Sequence, residues 1–204
     1  MNYGELKLQI ADTVHRSDLT AVIPAFIEAT RTRLNRDLRV QAMINTAEIT
    51  PTTNPFTAPA DFLEMREISR GAQNSTGRVI LSSVGRHMLN RYKFATGNSS
   101  QFYSVDGYQI EVAPNGVDIP YSLIYYAEIP EFVSDSDETP TLTRYPSLWL
   151  YGALYEAYNY TANREAQTVA LQDFTSEITA ANKSSAMAET SESPMMNGAA
   201  LWGW

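Results

Sequence analysis

The chain contains no cysteine, which removes disulfide frameworks, thiolate nucleophiles and cysteine metal sites together. Histidine is nearly as scarce. His15 and His87 are the only two, and no serine or aspartate near either is spaced as a nucleophile elbow or triad requires, so both read as surface or capping residues. Gly-rich phosphate loops and paired metal-ligand spacings are missing as well, and no cofactor is expected. The longest apolar run, 148–154, falls far short of the ~18 residues of a membrane span. The opening Met1-Asn2-Tyr3-Gly4-Glu5 lacks the basic-then-apolar order of a signal peptide. Membrane insertion and signal-directed secretion are therefore not expected, and synthesis in the cytosol is. Basic residues are outnumbered, 15 against 23 acidic, for a net charge of −8. That balance opposes broad binding to a phosphate backbone, where affinity comes from Lys and Arg displacing counterions. It leaves room for a local basic face.

What is present is enough apolar material, 44% of 204 residues with 11% aromatic, for one core or two small ones. The longest helical periodicity lies over 146–182. Trp149, Ala153, Ala157 and Tyr160 form one stripe, Leu150, Leu154 and Thr161 a second, and Tyr151, Tyr155 and Tyr158 a third. A helix apolar around most of its circumference has to be surrounded by other helices or by neighbouring subunits. Residues 163–167 carry no large apolar side chain, after which Val169, Ala170, Phe174, Ile178 and Ala181 resume a stripe. The spacing predicts a buried helix near 147–162, opened by Pro146 and Ser147, a bend, and an amphipathic helix near 165–182.

At the other end, Asn2 and Glu5 have the spacing of a capping box, and Tyr3, Leu6, Ile10 and Val14 make a first helix ending near 15–18. A second helix starts near 21–24, with Leu19, Val22, Ile23, Phe26, Ile27, Thr30, Leu34 and Leu38 on one face. Its far half is basic. Arg31, Arg33, Arg36 and Arg39 fall within about three turns, either as a contact surface for an acidic partner or nucleic acid, or as a solvated face ion-paired to Glu28, Asp37 or a neighbouring helix.

From Met43 the pattern changes to short alternating segments. Strands are expected over 44–50, 64–69, 78–82 and 121–128, with a turn at 51–55, a tight structure at 59–61, a short helix over 83–92 capped by Ser83, and a loop at 97–100. The plainest local signal is the hairpin of 102–105 and 108–112 around Asp106-Gly107, since Asp-Gly supplies the positive φ of a two-residue turn. Residues 114–116 make the next turn. Residues 130–145, with Asp135, Asp137 and Glu138, read as an acidic loop. It could hold calcium, but it lacks the ligand order of a dedicated calcium loop, and a solvated loop is the simpler reading. Tyr103, Tyr108, Tyr121, Tyr125 and Tyr126 are either a sugar-stacking platform or sheet core.

The resulting class is α+β: a helical bundle drawn from 1–42 and 140–182, with a small antiparallel β sandwich or open barrel inserted at 43–139 and an extended tail at 183–204. The tail is polar and then ends on Leu201-Trp202-Gly203-Trp204. Its large apolar side chains read as residues that dock on another subunit, Leu201, Trp202 and Trp204 above all. A tail-associated cell-wall hydrolase would need convergent acids that the sequence does not single out, and a carbohydrate-binding β module leaves the terminal helices without a purpose. A component of an assembly explains both.

Tyr3-Gly4-Glu5-Leu6, Ile23-Pro24-Ala25-Phe26-Ile27-Glu28, Arg33-Leu34-Asn35-Arg36-Asp37-Leu38-Arg39, Leu63 within Pro59-Ala60-Asp61-Phe62-Leu63-Glu64, and Leu142-Thr143-Arg144-Tyr145-Pro146 running into Leu150-Tyr151-Gly152-Ala153-Leu154 have a telling order and spacing. In these the chain resembles the head-to-tail adaptor (connector) proteins of tailed bacteriophages over most of 1–182. The resemblance implies a structural virion protein rather than an enzyme. It implies a dodecameric ring beneath the portal protein, joining capsid to tail or nozzle proteins at the head-tail junction, assembled in the host cytoplasm. DNA would pass through the channel without specific binding, past an acidic surface that repels it. The arginines at 31, 33, 36 and 39 would then face the portal or a neighbouring subunit.

Overall fold

The structure, a computed structural model, describes residues 1–71, 76–93, 101–114 and 116–190. The chain divides into two compact units, Met1–Ala42 with Ile129–Trp204, and Met43–Glu128. The first is helical and the second carries two sheets, so the α+β class holds. The chain is back in the helical unit from Ile129, ahead of the expected boundary at 140.

In the helical unit, α1 (Tyr3–Val14) opens with the expected capping box: the Glu5 amide donates to Asn2 Oδ1 at 2.8 Å and the Asn2 amide to Glu5 Oε2 at 3.0 Å. It closes at His15, whose φ of 53° is left-handed. Tyr3, Leu6 and Ile10 are buried, as their spacing requires. A short 3-10 turn at Ser17–Leu19 leads to α2 (Ile23–Asp37), with Pro24 in its first turn, where a missing N–H costs nothing. After the return of the chain, α4 (Pro140–Arg144) starts at Thr139, whose hydroxyl accepts the Leu142 amide at 3.1 Å. The sequence pattern gave no warning of it, because five residues are too few to show periodicity.

The helix α5 (Pro146–Tyr160) is the centre of this unit and packs against α1, α2, α4 and α6 (Arg164–Thr190). Trp149 is fully buried, with Leu148, Gly152, Ala153, Leu154 and Ala157. Gly152 is there for space. A Cβ at this position would lie 2.3 Å from Thr30 Cγ2 and 3.0 Å from Phe174 Cε2, so α2 and α6 both close on α5 at this residue. The bend before α6 is made by Ala162 in the left-handed region, φ 57°.

Two expectations for α6 fail. Val169 is exposed rather than part of the buried stripe, which runs through Ala170, Phe174, Ala181 and Ser185. The helix also passes 182 and continues to Thr190, so the stretch 183–190, expected as the start of an extended tail, is helical. Lys183-Ser184-Ser185 reads as polar linker, yet nothing in 183–190 is Gly or Pro, and Ser185 continues the packed stripe at i+4 from Ala181. The remainder of the tail, with Leu201, Trp202 and Trp204, lies outside the described residues.

In the second unit, β1 (Ile44–Ile49), β8 (Tyr121–Ala127), β3 (Phe62–Arg70) and β4 (Val79–Ile80) form one sheet in that order. The other runs β2 (Phe56–Thr57), β7 (Gln109–Ala113), β6 (Phe102–Asp106), β5 (Ser82–Ser83). All pairings are antiparallel except β5 with β6. The sheets do not close into a barrel. They share one core, in which Phe56 stacks on Tyr121 with ring centres 5.9 Å apart and Phe62, Ile68, Tyr103, Ile110, Leu123 and Tyr125 fill the space between. Of the two forms expected, this is the sandwich.

Local differences have local causes. The strand expected over 78–82 is broken at Leu81, which buries its side chain while the chain leaves one sheet for the other. Ser83 is consequently in β5, and the following helix α3 (Arg86–Tyr92) starts at Gly85 with no side-chain cap. In the 102–113 hairpin Asp106 pairs with Gln109, so the two turn residues are Gly107, at φ 60°, and Tyr108. Glycine at the first central position is the type II′ arrangement, and Asp106 stays in the strand. The loop at 97–100 and Asn115 of the next turn lie outside the described residues.

Candidate assembly interface

The four α2 arginines do not share one environment. Arg31 is almost buried: it donates to Glu28 on its own helix, to Glu131 at 3.2 Å and to the Ile129 carbonyl at 2.8 Å, tying the returning chain to α2. Arg33 Nε donates to Glu156 Oε1 at 2.9 Å while its guanidinium lies 4.7 Å from the centre of the Tyr155 ring, so it joins α2 to α5. Arg39 donates to the carbonyls of Asn35 and Leu38, finishing the helix C-terminus. Arg36 differs. Its side chain is 69% exposed and, among the described residues, pairs only with the adjacent Asp37, whose carboxyl the Arg36 hydrogen bond holds below the usual range. Among the four, Arg36 is the one that stands exposed to solvent.

Two polar residues that sequence reasoning missed fix the chain where it leaves the bundle. Asn182 on α6 accepts the Arg39 amide at 2.8 Å and donates to the Asp37 carbonyl at 3.0 Å, and the Ser185 hydroxyl accepts the Gln41 amide at 3.0 Å. Without them the backbone groups following α2 lose those partners. Glu156 carried a usable signal, being the one charged residue in α5. Asn182 and Ser185 carried none, because their partners are far away in sequence.

The acidic stretch of 130–138 is a strap over the bundle. The Asp137 and Asp135 carbonyls accept the Tyr3 and Gly4 amides at 2.9 and 2.8 Å, satisfying orphan donors of the first turn of α1. Phe132 stacks on Tyr3 at 4.7 Å and meets Trp149 edge-on at 5.1 Å. The Asp137 carboxylate is turned onto the amides of Ser134 and Val133, which holds its pKa down. Among the described residues, no group of three His, Asp or Glu side chains is placed to hold a metal ion.

The remaining candidates are separated in the same way. His15 is exposed at the end of α1 and His87 is exposed on α3. Tyr103, Tyr121 and Tyr125 are core, Tyr126 lies against Arg66, and only Tyr108 stands out from the surface, so the five do not make a stacking platform. Tyr125 instead donates to Asp61 at 2.9 Å, and burial first, then that carboxylate, push its phenol up to about 12. The carboxylates displaced from their ordinary values, Asp18, Asp37 and Asp137, are all displaced downward. That is the direction hydrogen-bonded structural carboxylates take.

The described residues form a helical unit and a unit of two sheets, and comparison with known families gives a match. The family described as SU10 adaptor protein matches residues 1–197. The chain belongs to this family of phage head-to-tail adaptors. A comparison with curated proteins finds no match. The adaptor is thus a bacteriophage structural protein and a virion component whose partners are portal and tail proteins. Among its described residues no helix is long and apolar enough to cross a membrane.

Proposed function

We propose that this adaptor forms a ring, a dodecamer in the form the family resemblance implies, between the portal of the capsid and the tail, and that the ring continues the DNA channel. The family match over nearly the whole chain carries this reading. The net charge of −8 supports it in a second way, since an acidic channel wall lets DNA pass without sticking. In this arrangement the subunit assembles in the host cytoplasm and sits at the head-tail junction. Arg36 faces an acidic surface of the portal or of a neighbouring subunit, while Arg31, Arg33 and Arg39 hold the fold. The tail residues Leu201, Trp202 and Trp204 dock on another subunit, where burying each large side chain gives about 2–3 kcal/mol.

A ring uses head-to-tail contacts, and contacts that are weak until a template gathers the subunits prevent futile assembly. The isolated adaptor therefore sediments as a monomer and becomes a ring when mixed with portal. Arg36→Glu leaves the melting curve within about 0.5 kcal/mol of wild type and weakens sedimentation with portal. Unchanged portal binding by that variant would return Arg36 to a solvated face.

A further inference from the structure

Both α1 and α6 pack on α5, and each turns another face to solvent. The outer face of α1 is a shallow groove lined by Glu5, Leu8, Gln9, Asp12 and Thr13, with Leu8 68% exposed at its middle. The outer face of α6 is a groove of about 650 Å³ running from Thr168 to Lys183 past Leu171, Thr175 and Thr179. Its apolar character has a specific origin. The hydroxyls of Thr168, Thr175 and Thr179 each donate to the carbonyl one turn back, at 2.9, 2.8 and 2.9 Å, which leaves their methyl groups to line the surface. Lys183 is the charged residue in that lining. Asp12 and Lys183 are both exposed and, among the described residues, neither has an ion-pair partner.

We infer that these faces bind each other between copies: the α1 face of one subunit packs into the α6 groove of the next. The spacing matches, since Leu8 to Asp12 and Thr179 to Lys183 are both one helical turn, about 6 Å. With the helices parallel, Leu8 seats on the Thr175 and Thr179 methyls while Asp12 meets Lys183. Charge selects this pairing over its rivals. Two α1 faces would set the acidic Glu5 and Asp12 against those of the other copy, a like-charge contact, and two α6 grooves would supply no carboxylate for Lys183. Joining two different faces of one chain makes a heterologous contact, the kind that builds a ring when its rotation closes. The inference rests on the ring reading proposed above and names the surfaces that build it.

The absence of native cysteine makes the test clean. Full-length Leu8→Cys and Thr179→Cys chains are mixed with portal under mild oxidation, and chain-to-chain disulfides are identified by mass spectrometry, with sedimentation of the same samples reporting whether copies associate. The expected result is a disulfide between position 8 of one chain and position 179 of another. Its yield falls several-fold with Asp12→Lys in the first chain and is restored by adding Lys183→Glu to the second. Association accompanied only by 8–8 links, only by 179–179 links or by none would overturn the interface while leaving the ring intact. No association of copies, with or without portal, would overturn the ring reading and this inference together.

Discussion

At the scale of single residues, the structure explains positions whose identity the sequence could not justify. Gly152 is the point where α2 and α6 reach α5, with no space for a methyl group between Thr30 and Phe174. Thr30 cannot swing away freely, because it is buried and its hydroxyl is bonded to the Phe26 carbonyl at 2.8 Å. Gly152→Ala is expected to destabilise the fold by about 1–3 kcal/mol despite the better helix propensity of alanine, measured as a lowered midpoint in urea. Tyr125 gives a pH signature. Its folded-state pKa is raised from 10.0 to about 12 by burial and then by the bond to Asp61, so the unfolded chain ionises first. The stability from this group is complete below pH 10 and is lost as pH rises toward 12. Tyr125→Phe removes that part of the alkaline loss and costs about 1–2 kcal/mol at neutral pH through the missing hydrogen bond. An alkaline unfolding limb identical in wild type and variant would show that Tyr125 does not titrate as described.

At the scale of elements, α6 provides the sharpest test because its length was misread. Truncation after Asn182 removes Ser185, which bonds the Gln41 amide, along with the last turns of the helix. Truncation after Thr190 removes neither. The shorter chain is expected to melt lower by about 1–2 kcal/mol, the worth of a lost buried hydrogen bond and its packing, while the longer one matches wild type in a circular-dichroism melt. Equal melting of the two would mean that 183–190 adds nothing to the bundle. The same elements show what was legible. The α1 capping box, the start of α2, the central aromatic helix and the 102–113 hairpin were readable because each is specified by residues within a few positions of one another. Long-range polar pairs were not. The sequence offers no means of choosing Glu156 as the partner of Arg33, or Asn182 as the partner of the Arg39 amide, until the helices are packed. The basic face of α2 was visible as a pattern, yet only packing separates Arg36, exposed and bonded to the adjacent Asp37, from three neighbours that are half-buried.

At the scale of the molecule, two compact units, an acidic balance and solvent-facing apolar groups such as Leu8 on α1 and Leu171 on α6 describe a subunit suited to assembly. In the ring proposed above, these side chains are the ones that packing between copies would cover. The family match places the protein among phage adaptors, and the ring is the proposal that connects that membership to these surfaces. Electron microscopy of the adaptor mixed with portal tests it most directly. The account predicts a closed ring of adaptor subunits, coaxial with the portal and open along its axis. Adaptor bound as scattered single subunits, or a ring closed across its centre, would contradict it.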